Sequence, residues 1–269
     1  MAVNLFQLHG DGSIFQYTGT PGSWQLLDNN PRTSSIVARG GTLYQMHFDG
    51  TIWQYEGPPL TGWVQINDFP AETSSIVSGP GGLFKLHRDG TVNHYNGTPM
   101  GWLSLYFNPL LRQFATGRDH WFVLLGDGGI WQDLSATDDM LQLDNNPATQ
   151  SIVAAAGDLY QMHGDGSIWH YTGPPITGWA RLDNNPNTRT IAAGGGQLYQ
   201  LHGDGSIWQY TNHIWLQLDN NLGTVAITTG GGKLYQLHGD GSVWEYTGPP
   251  LTGWKLIDNN VRTTAIVAG

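Results

Sequence analysis

Six histidines of this 269-residue chain sit in one short string, H-x-D-G: His9, His47, His87, His163, His202 and His238. An indole follows in four of these copies, at Trp53, Trp169, Trp208 and Trp244, and Trp131 stands in a weaker one. An imidazole can donate a hydrogen bond to a ligand hydroxyl, and an indole edge offers apolar surface on which sugar C–H groups stack. A third recurrent group, Asp-Asn-Asn, supplies the amides of Asn29 and Asn30, Asn145 and Asn146, Asn184 and Asn185, Asn220 and Asn221, and Asn259 and Asn260. Amides bind hydroxyls, but they also stabilise turns and tolerate left-handed backbone. Each group therefore has a structural reading beside the chemical one: His satisfied by its own turn, Asp shaping that turn, Trp packing. The candidate sugar-contacting set is His9, His47, His163, His202 and His238 with these four indoles and ten Asn.

Catalysis finds little support. No G-x-S-x-G, G-x-x-x-x-G-K-[ST] or H-E-x-x-H occurs, so these nucleophile, phosphate-loop and zinc-protease signatures are missing. Asp and Glu total 21, enough to hide an acid pair. Yet the prominent polar features recur five or six times, whereas a catalytic centre needs one set. Repetition suits multivalent binding, in which weak pockets combine into avidity. The expectation is no enzyme, no catalytic residue and no cofactor.

A repeat must position these groups. Seven copies of L-[YF]-Q-[LM]-H-x-D-G-[ST]-I-W-x-Y begin at Leu5, Leu43, Leu83, Trp121, Leu159, Leu198 and Leu234, at spacings of 36 to 40 residues. Repeats three and four match worst. Within repeat two, Leu43 to His47, Ile52 to Tyr55, Trp63 to Ile66 and Ser74 to Ser78 read as strands. Gly57-Pro58-Pro59-Leu60-Thr61-Gly62 reads as a loop, and no helical period of useful length appears. Four short strands per copy predict an all-β fold, a seven-bladed propeller of four-stranded antiparallel blades. Residues 1–269 form one domain in this reading, and Thr263 to Ala268 closes the ring as inner strand of the blade made by residues 5 to 28.

Taking Asp49-Gly50 as a two-residue hairpin tip, His47 pairs with Ile52 and Met46 with Trp53. Tyr44, Met46, Trp53 and Tyr55 then share one blade face, opposite Leu43, Gln45, His47, Ile52 and Gln54. Each seam sets an aromatic wall against a wall of His and Gln. The H-x-D-G turns and Asp-Asn-Asn crossovers share one side of the disc; the G-G and Pro-rich loops share the other. Repeats two and three depart from Asp-Asn-Asn, with Asn67-Asp68-Phe69 and Tyr106-Phe107-Asn108. Trp24, Trp63, Trp102, Trp179 and Trp254 follow the Pro-rich loops and should anchor them. Propeller symmetry holds the six His apart, whereas ligands of one metal ion converge to about 2 Å; no metal site is expected.

Composition narrows the partners. A formal charge of −10 argues against nucleic acid, which needs a basic footprint. No apolar run is long enough to span a bilayer, so membrane insertion is not expected. The chain has no Cys, which removes disulfides and thiol chemistry and fits a cytosolic protein without excluding a secreted one. Met1-Ala2-Val3-Asn4 runs straight into the first repeat, so no signal peptide is expected. A cytoplasmic location or signal-independent secretion follows.

The string L-Y-Q-L-H-x-D-G-S-I-W-Q-Y-T-G-P-P-L-T-G-W-x-x-L-D-N-N resembles the tectonin-type propeller repeat of fungal and bacterial lectins, across nearly the whole chain and most weakly in residues 103–141. The resemblance implies a glycan partner held in grooves between adjacent blades, with fucosylated or O-methylated glycans as candidates. The damaged repeats should lack sites, leaving four or five pockets. The rival reading is a platform for protein–protein interaction, with Leu105, Tyr106, Phe107, Leu110, Leu111 and Phe114 as contact patch or core. An enzyme would need one non-repeated polar cluster in the central channel, and the sequence reveals none. Oligomeric state is left open.

Overall fold

The structure is a computed structural model that describes residues 4–67, 70–134, 139–155 and 157–269. Asp68 and Phe69, part of the altered crossover after repeat two, lie outside the described residues, as do Met1 to Val3. Seven four-stranded sheets form the ring. We label strands a to d from the centre outward. Blade two is Thr33–Arg39, Thr42–His47, Ile52–Tyr55 and Trp63–Gln65; blade five is Thr149–Ala155, Asp158–His163, Ser167–Tyr171 and Trp179–Asn184. In blade one, strand a is Thr263–Ala268, paired with Leu5–His9. The ring therefore closes through the C-terminal strand, which covers the inner edge of Leu5–His9. Among the described residues the only helical element is a 3-10 turn at Pro70–Glu72, and no helix is long and apolar enough to cross a membrane.

The turn between strands b and c differs from the expected two-residue tip. Tyr44 faces Gln54, Gln45 faces Trp53 and Met46 faces Ile52. His47 N–H donates to Thr51 O at 2.9 Å, and Gly50 N–H to His47 O at 2.9 Å. The connection is thus the three residues Phe48-Asp49-Gly50. Only Gly50 is left-handed, at φ 81°, because the Asp49 carboxylate accepts Thr51 N–H at 3.0 Å and holds an ordinary right-handed turn before the glycine. Glycine is also required by contact: a Cβ on Gly50 would lie 2.0 Å from Pro70 O.

One extra turn residue moves strand c by one position and exchanges its faces. Trp53 and Tyr55 therefore join Leu43, Gln45 and His47, while Ile52 and Gln54 join Tyr44 and Met46. The face bearing Trp53 is turned toward blade one, where Leu43, Tyr55 and Trp63 pack with Phe6, Leu8, Ile14 and Leu27. The opposite face is turned toward blade three: Tyr44, Met46, Ile52 and Ile66 pack there with Leu83, Tyr95 and Trp102. The expected division into an aromatic wall and a His/Gln wall is replaced by one mixed wall and one mainly apolar wall.

Seven apolar clusters result, one per seam. The core is therefore distributed around the disc. Ile52 is fully buried in its seam, and Ile52→Ala should lower unfolding free energy by about 2–5 kcal/mol, measured by denaturant titration with the slope unchanged.

Candidate functional site

Two devices join blades to their predecessors, the first at six seams and the second at four. The first begins with a bulge on strand d. Ile130 faces Asp144 while Trp131 faces Gln142, so Leu143 is the extra residue. A bulged residue is left out of the ladder, and the Leu143 carbonyl accepts instead from the next blade: Trp179 Nε1–H at 2.9 Å and Ile176 N–H at 2.8 Å. Trp24, Trp63, Trp102, Trp215 and Trp254 donate likewise to Ile257, Leu27, Ile66, Leu182 and Leu218. The Trp after the Pro-rich loop thus ties it to the preceding blade. Trp215 was missed in the sequence because its loop is shortened to Asn212-His213. Ile176 is held at φ 66°, a left-handed conformation that costs a β-branched residue energy.

The second device is a buried polar chain. Thr149 Oγ1–H donates to Gln161 Oε1 at 2.7 Å, and Gln161 Nε2–H to Asp144 Oδ2 at 2.7 Å. Asp144 belongs to the preceding blade, so the chain crosses the seam. The same links recur as Thr33-Gln45-Asp28, Thr188-Gln200-Asp183 and Thr224-Gln236-Asp219. These Gln and Asp were not among the sequence candidates. Their signal was present, since the Gln stands two residues before each His and the Asp opens each Asp-Asn-Asn.

Between the two devices lies a recess. At the seam of blades four and five it measures about 220 Å³ and is lined by Asp144, Asn146, Gln161, His163, Trp169, Ile176, Thr177 and Trp179. Trp53, Trp169, Trp208 and Trp244 are each half-buried, and Trp169 lines the recess. Indole, imidazole and Gln come from one blade, and Asp and Asn from the blade before it. Arg181 lies over the Trp169 ring at 5.9 Å, so that indole shares its surface with a cation.

The histidines are part of the turn. His47, His163, His202 and His238 stack on Trp53, Trp169, Trp208 and Trp244 at 5.7 Å, and His9 on Phe15 at 4.5 Å. Thr51 Oγ1–H donates to Asp49 at 2.7 Å, so the same oxygen can only accept from Trp53 Nε1–H at 3.2 Å and from His47 Nδ1, 3.1 Å away. The proton therefore sits on Nδ1, and Nε2 is an acceptor. Ser206 fixes His202 in the same way, with Asp204 and Trp208. In blade two Nε2 meets Asn30 Nδ2 at 3.4 Å. For His9, His202 and His238 it is buried without a partner among the described residues. A ligand hydroxyl reaches such a nitrogen only by displacing part of the rim.

The sequence candidates divide accordingly. The second Asn of each pair caps its crossover, as where Asn30 Oδ1 accepts Arg32 N–H at 3.0 Å; Asn146 does the same and lines the recess. Asn185, Asn221 and Asn260 accept equivalent bonds. The first Asn of each pair, Asn29, Asn145, Asn184, Asn220 and Asn259, is exposed, and Asn145 does not line the recess. Blade one has Phe15 at the Trp position; blade three has Lys85 and Asn93 where blades two, five, six and seven have Gln and Trp, and blade four has Val123 and Leu125 where those blades have Gln and His. None of the three carries the His–Trp pair. The expected patch is split: Phe114 is core, Leu105, Tyr106 and Leu111 are half-buried, and only Phe107 and Leu110 are exposed. At the inner ends of the blades a cavity of about 660 Å³ is lined largely by Gly, Ala and Thr, with Arg39 the one charged side chain among its described lining residues.

No family model and no curated protein matches the chain. Solved structures match it in shape. Prp20p from Saccharomyces cerevisiae aligns with a TM-score of 0.71 at 12% identity, over 96% of this chain and 86% of its own. YCF48 bound to D1 peptide aligns with a TM-score of 0.67 at 12% identity, over 91% and 89%. BamB from Moraxella catarrhalis aligns at 0.55 and 14%, over 98% and 84%. At such identities the likeness is one of fold.

Two measurements check these assignments. Burial holds His9, His47, His163, His202 and His238 below the ordinary 6.5. Just below pH 6.5 the unfolded chain then binds more protons than the folded one, so stability is full above that pH and falls as acid is added. The denaturation midpoint should drop between pH 6.5 and 5, less steeply once His202 and His238 are both replaced by Gln. Separately, Gln161→Leu leaves the Asp144 carboxylate without its seam partner and should cost about 1.5–3 kcal/mol by urea unfolding.

Proposed function

We propose that this chain acts by binding, without catalysis, as a propeller platform bearing repeated recognition recesses. One observation carries the reading: the same half-buried indole, cross-seam Gln–Asp pair and rim Asn recur at four seams. Chemistry needs a single set of groups; avidity benefits from copies.

Two ligand classes follow from different observations. Solved propellers of similar shape favour protein partners: Prp20p was described with its binding to Gsp1p and histones, and YCF48 was captured with D1 peptide. On the comparisons alone the platform for proteins has the better support. Phe107 and Leu110, 62% and 54% exposed, offer it an apolar contact surface beside the irregular blades. Recess chemistry favours glycans. A space near the size of one sugar ring, walled by an indole and edged with amide and hydroxyl groups, suits a polyol with an apolar face. The tectonin-type resemblance points the same way, toward fucosylated or O-methylated glycans. Such a ligand would contact the indole, the rim Asn and Thr177, with the His163 ring as part of the wall and its Nε2 already engaged by Gln161.

Binding of the purified chain to a broad glycan array separates the classes. Under the glycan reading, replacing Trp53, Trp169, Trp208 and Trp244 together by Ala should cut avidity roughly 10²-fold or more, and each single replacement far less. Silence across fucosylated and O-methylated glycans removes that reading. The protein-platform reading instead expects Phe107→Asp with Leu110→Asp to abolish partner capture while the four-Trp variant retains it.

A further inference from the structure

One seam carries a polar cavity that the repeat does not predict. Between blades seven and one, on the disc face opposite the H-x-D-G turns, a space of about 590 Å³ is lined by Asn4, Gln16, Tyr17, Lys233, Glu245 and Lys255, among others. The whole chain contains three lysines, Lys85, Lys233 and Lys255, and three glutamates, Glu56, Glu72 and Glu245. Two of those lysines and one glutamate face this cavity. The corresponding positions elsewhere hold other polar pairs: Gln16 donates to Asn4 at 3.2 Å, Gln209 to Gln197 at 2.7 Å, and His170 meets Asp158 at 2.9 Å.

The charges do not cancel. Glu245 is 7% exposed and is paired with Lys233. Lys255 sits directly across from Glu245 on the outer strand, is exposed, and forms no ion pair among the described residues. One positive charge is therefore left over at the mouth, in a chain whose net charge is −10. A buried carboxylate beside it disfavours a dianion through like-charge repulsion, whereas a monoanion meets the surplus. The remaining lining is amide, hydroxyl and phenol, including Gln16, Thr18, Thr247 and Tyr17, which matches a ligand rich in hydroxyls.

We infer that this cavity is a single, non-repeated site for a monoanionic sugar acid, with Lys255 as the carboxylate contact, Lys233 held in place by Glu245, and the Asn4 and Gln16 amides on the hydroxyls. This site is separate from the seam recesses and does not depend on what they bind.

Titrating the full chain with glucuronate, with glucose and glucose 6-phosphate as references, tests the proposal by calorimetry and by chemical-shift changes at Tyr17. Glucuronate should bind at least roughly tenfold more tightly than either reference, and more weakly as salt rises. Lys255→Gln should weaken it by roughly tenfold, as loss of a charge-assisted hydrogen bond implies, and Lys255→Glu should abolish it. Because Lys255 is exposed, both variants keep the fold, which thermal unfolding verifies. The glucuronate titration turns on Lys255 and the glycan array on the four seam indoles, so failure of this site and of the recess reading can be told apart. Absent binding, equal affinity for glucose, or an unaltered affinity in Lys255→Gln overturns the proposal.

Discussion

On the outer strands of this ring, a bulge frees one backbone carbonyl from its own sheet, and the next blade supplies the donors it lacks. Leu27, Leu143, Leu182, Leu218 and Ile257 are the bulged residues, and an indole N–H from the following blade reaches each of them. A buried carbonyl without a donor is costly, while each bond made contributes about 0.5–1.5 kcal/mol. The bulge thus turns a local irregularity into a directional joint, and it fixes how far apart two blades stand at their outer edge. The recess is the space that this spacing leaves between the joint and the crossover above it.

The seam that lacks the joint shows what replaces it. Blade four has Met140 at the position of the anchoring Trp, and a thioether cannot donate. Aromatic packing closes that seam instead: Phe84 lies 4.7 Å from Phe114, and Trp121 lies 5.6 Å from both Phe114 and Tyr106. The two irregular repeats therefore form a coherent apolar seam, with recognition groups exchanged for core. Cross-seam Gln–Asp pairs are missing there for the same reason, because Val123 occupies the Gln position.

Buried polar groups divide the other seams into structural and accessible chemistry. His47 and His202 are committed to the hydroxyl of their own turn, and the Gln–Asp pairs satisfy each other. The half-buried indoles, the rim Asn and the loop hydroxyls keep capacity to spare. The seam of blades seven and one departs in another direction: a Lys–Glu–Lys set stands where blades one and six have amide pairs and blade five has His170 with Asp158, and it leaves one positive charge over.

Much of this was legible in the residues. Copies of one motif at near-constant spacing determined blade number, strand order and ring closure, because a four-stranded unit with two apolar faces can be buried only between neighbours like itself. The same string pointed to His, Trp and Asn converging near one seam. Three things were decided by the tertiary structure. The extra turn residue before Gly50, held by the Asp49 side chain, set which face Trp53 occupies, and a spacing of Asp-Gly alone does not distinguish two turn residues from three. Burial separated the exposed Asn145 from the recess-lining Asn146, though both are amides in one tripeptide. The juxtaposition of Lys233, Glu245 and Lys255 with Asn4 required the ring to close, since no local pattern brings the two ends of a chain together.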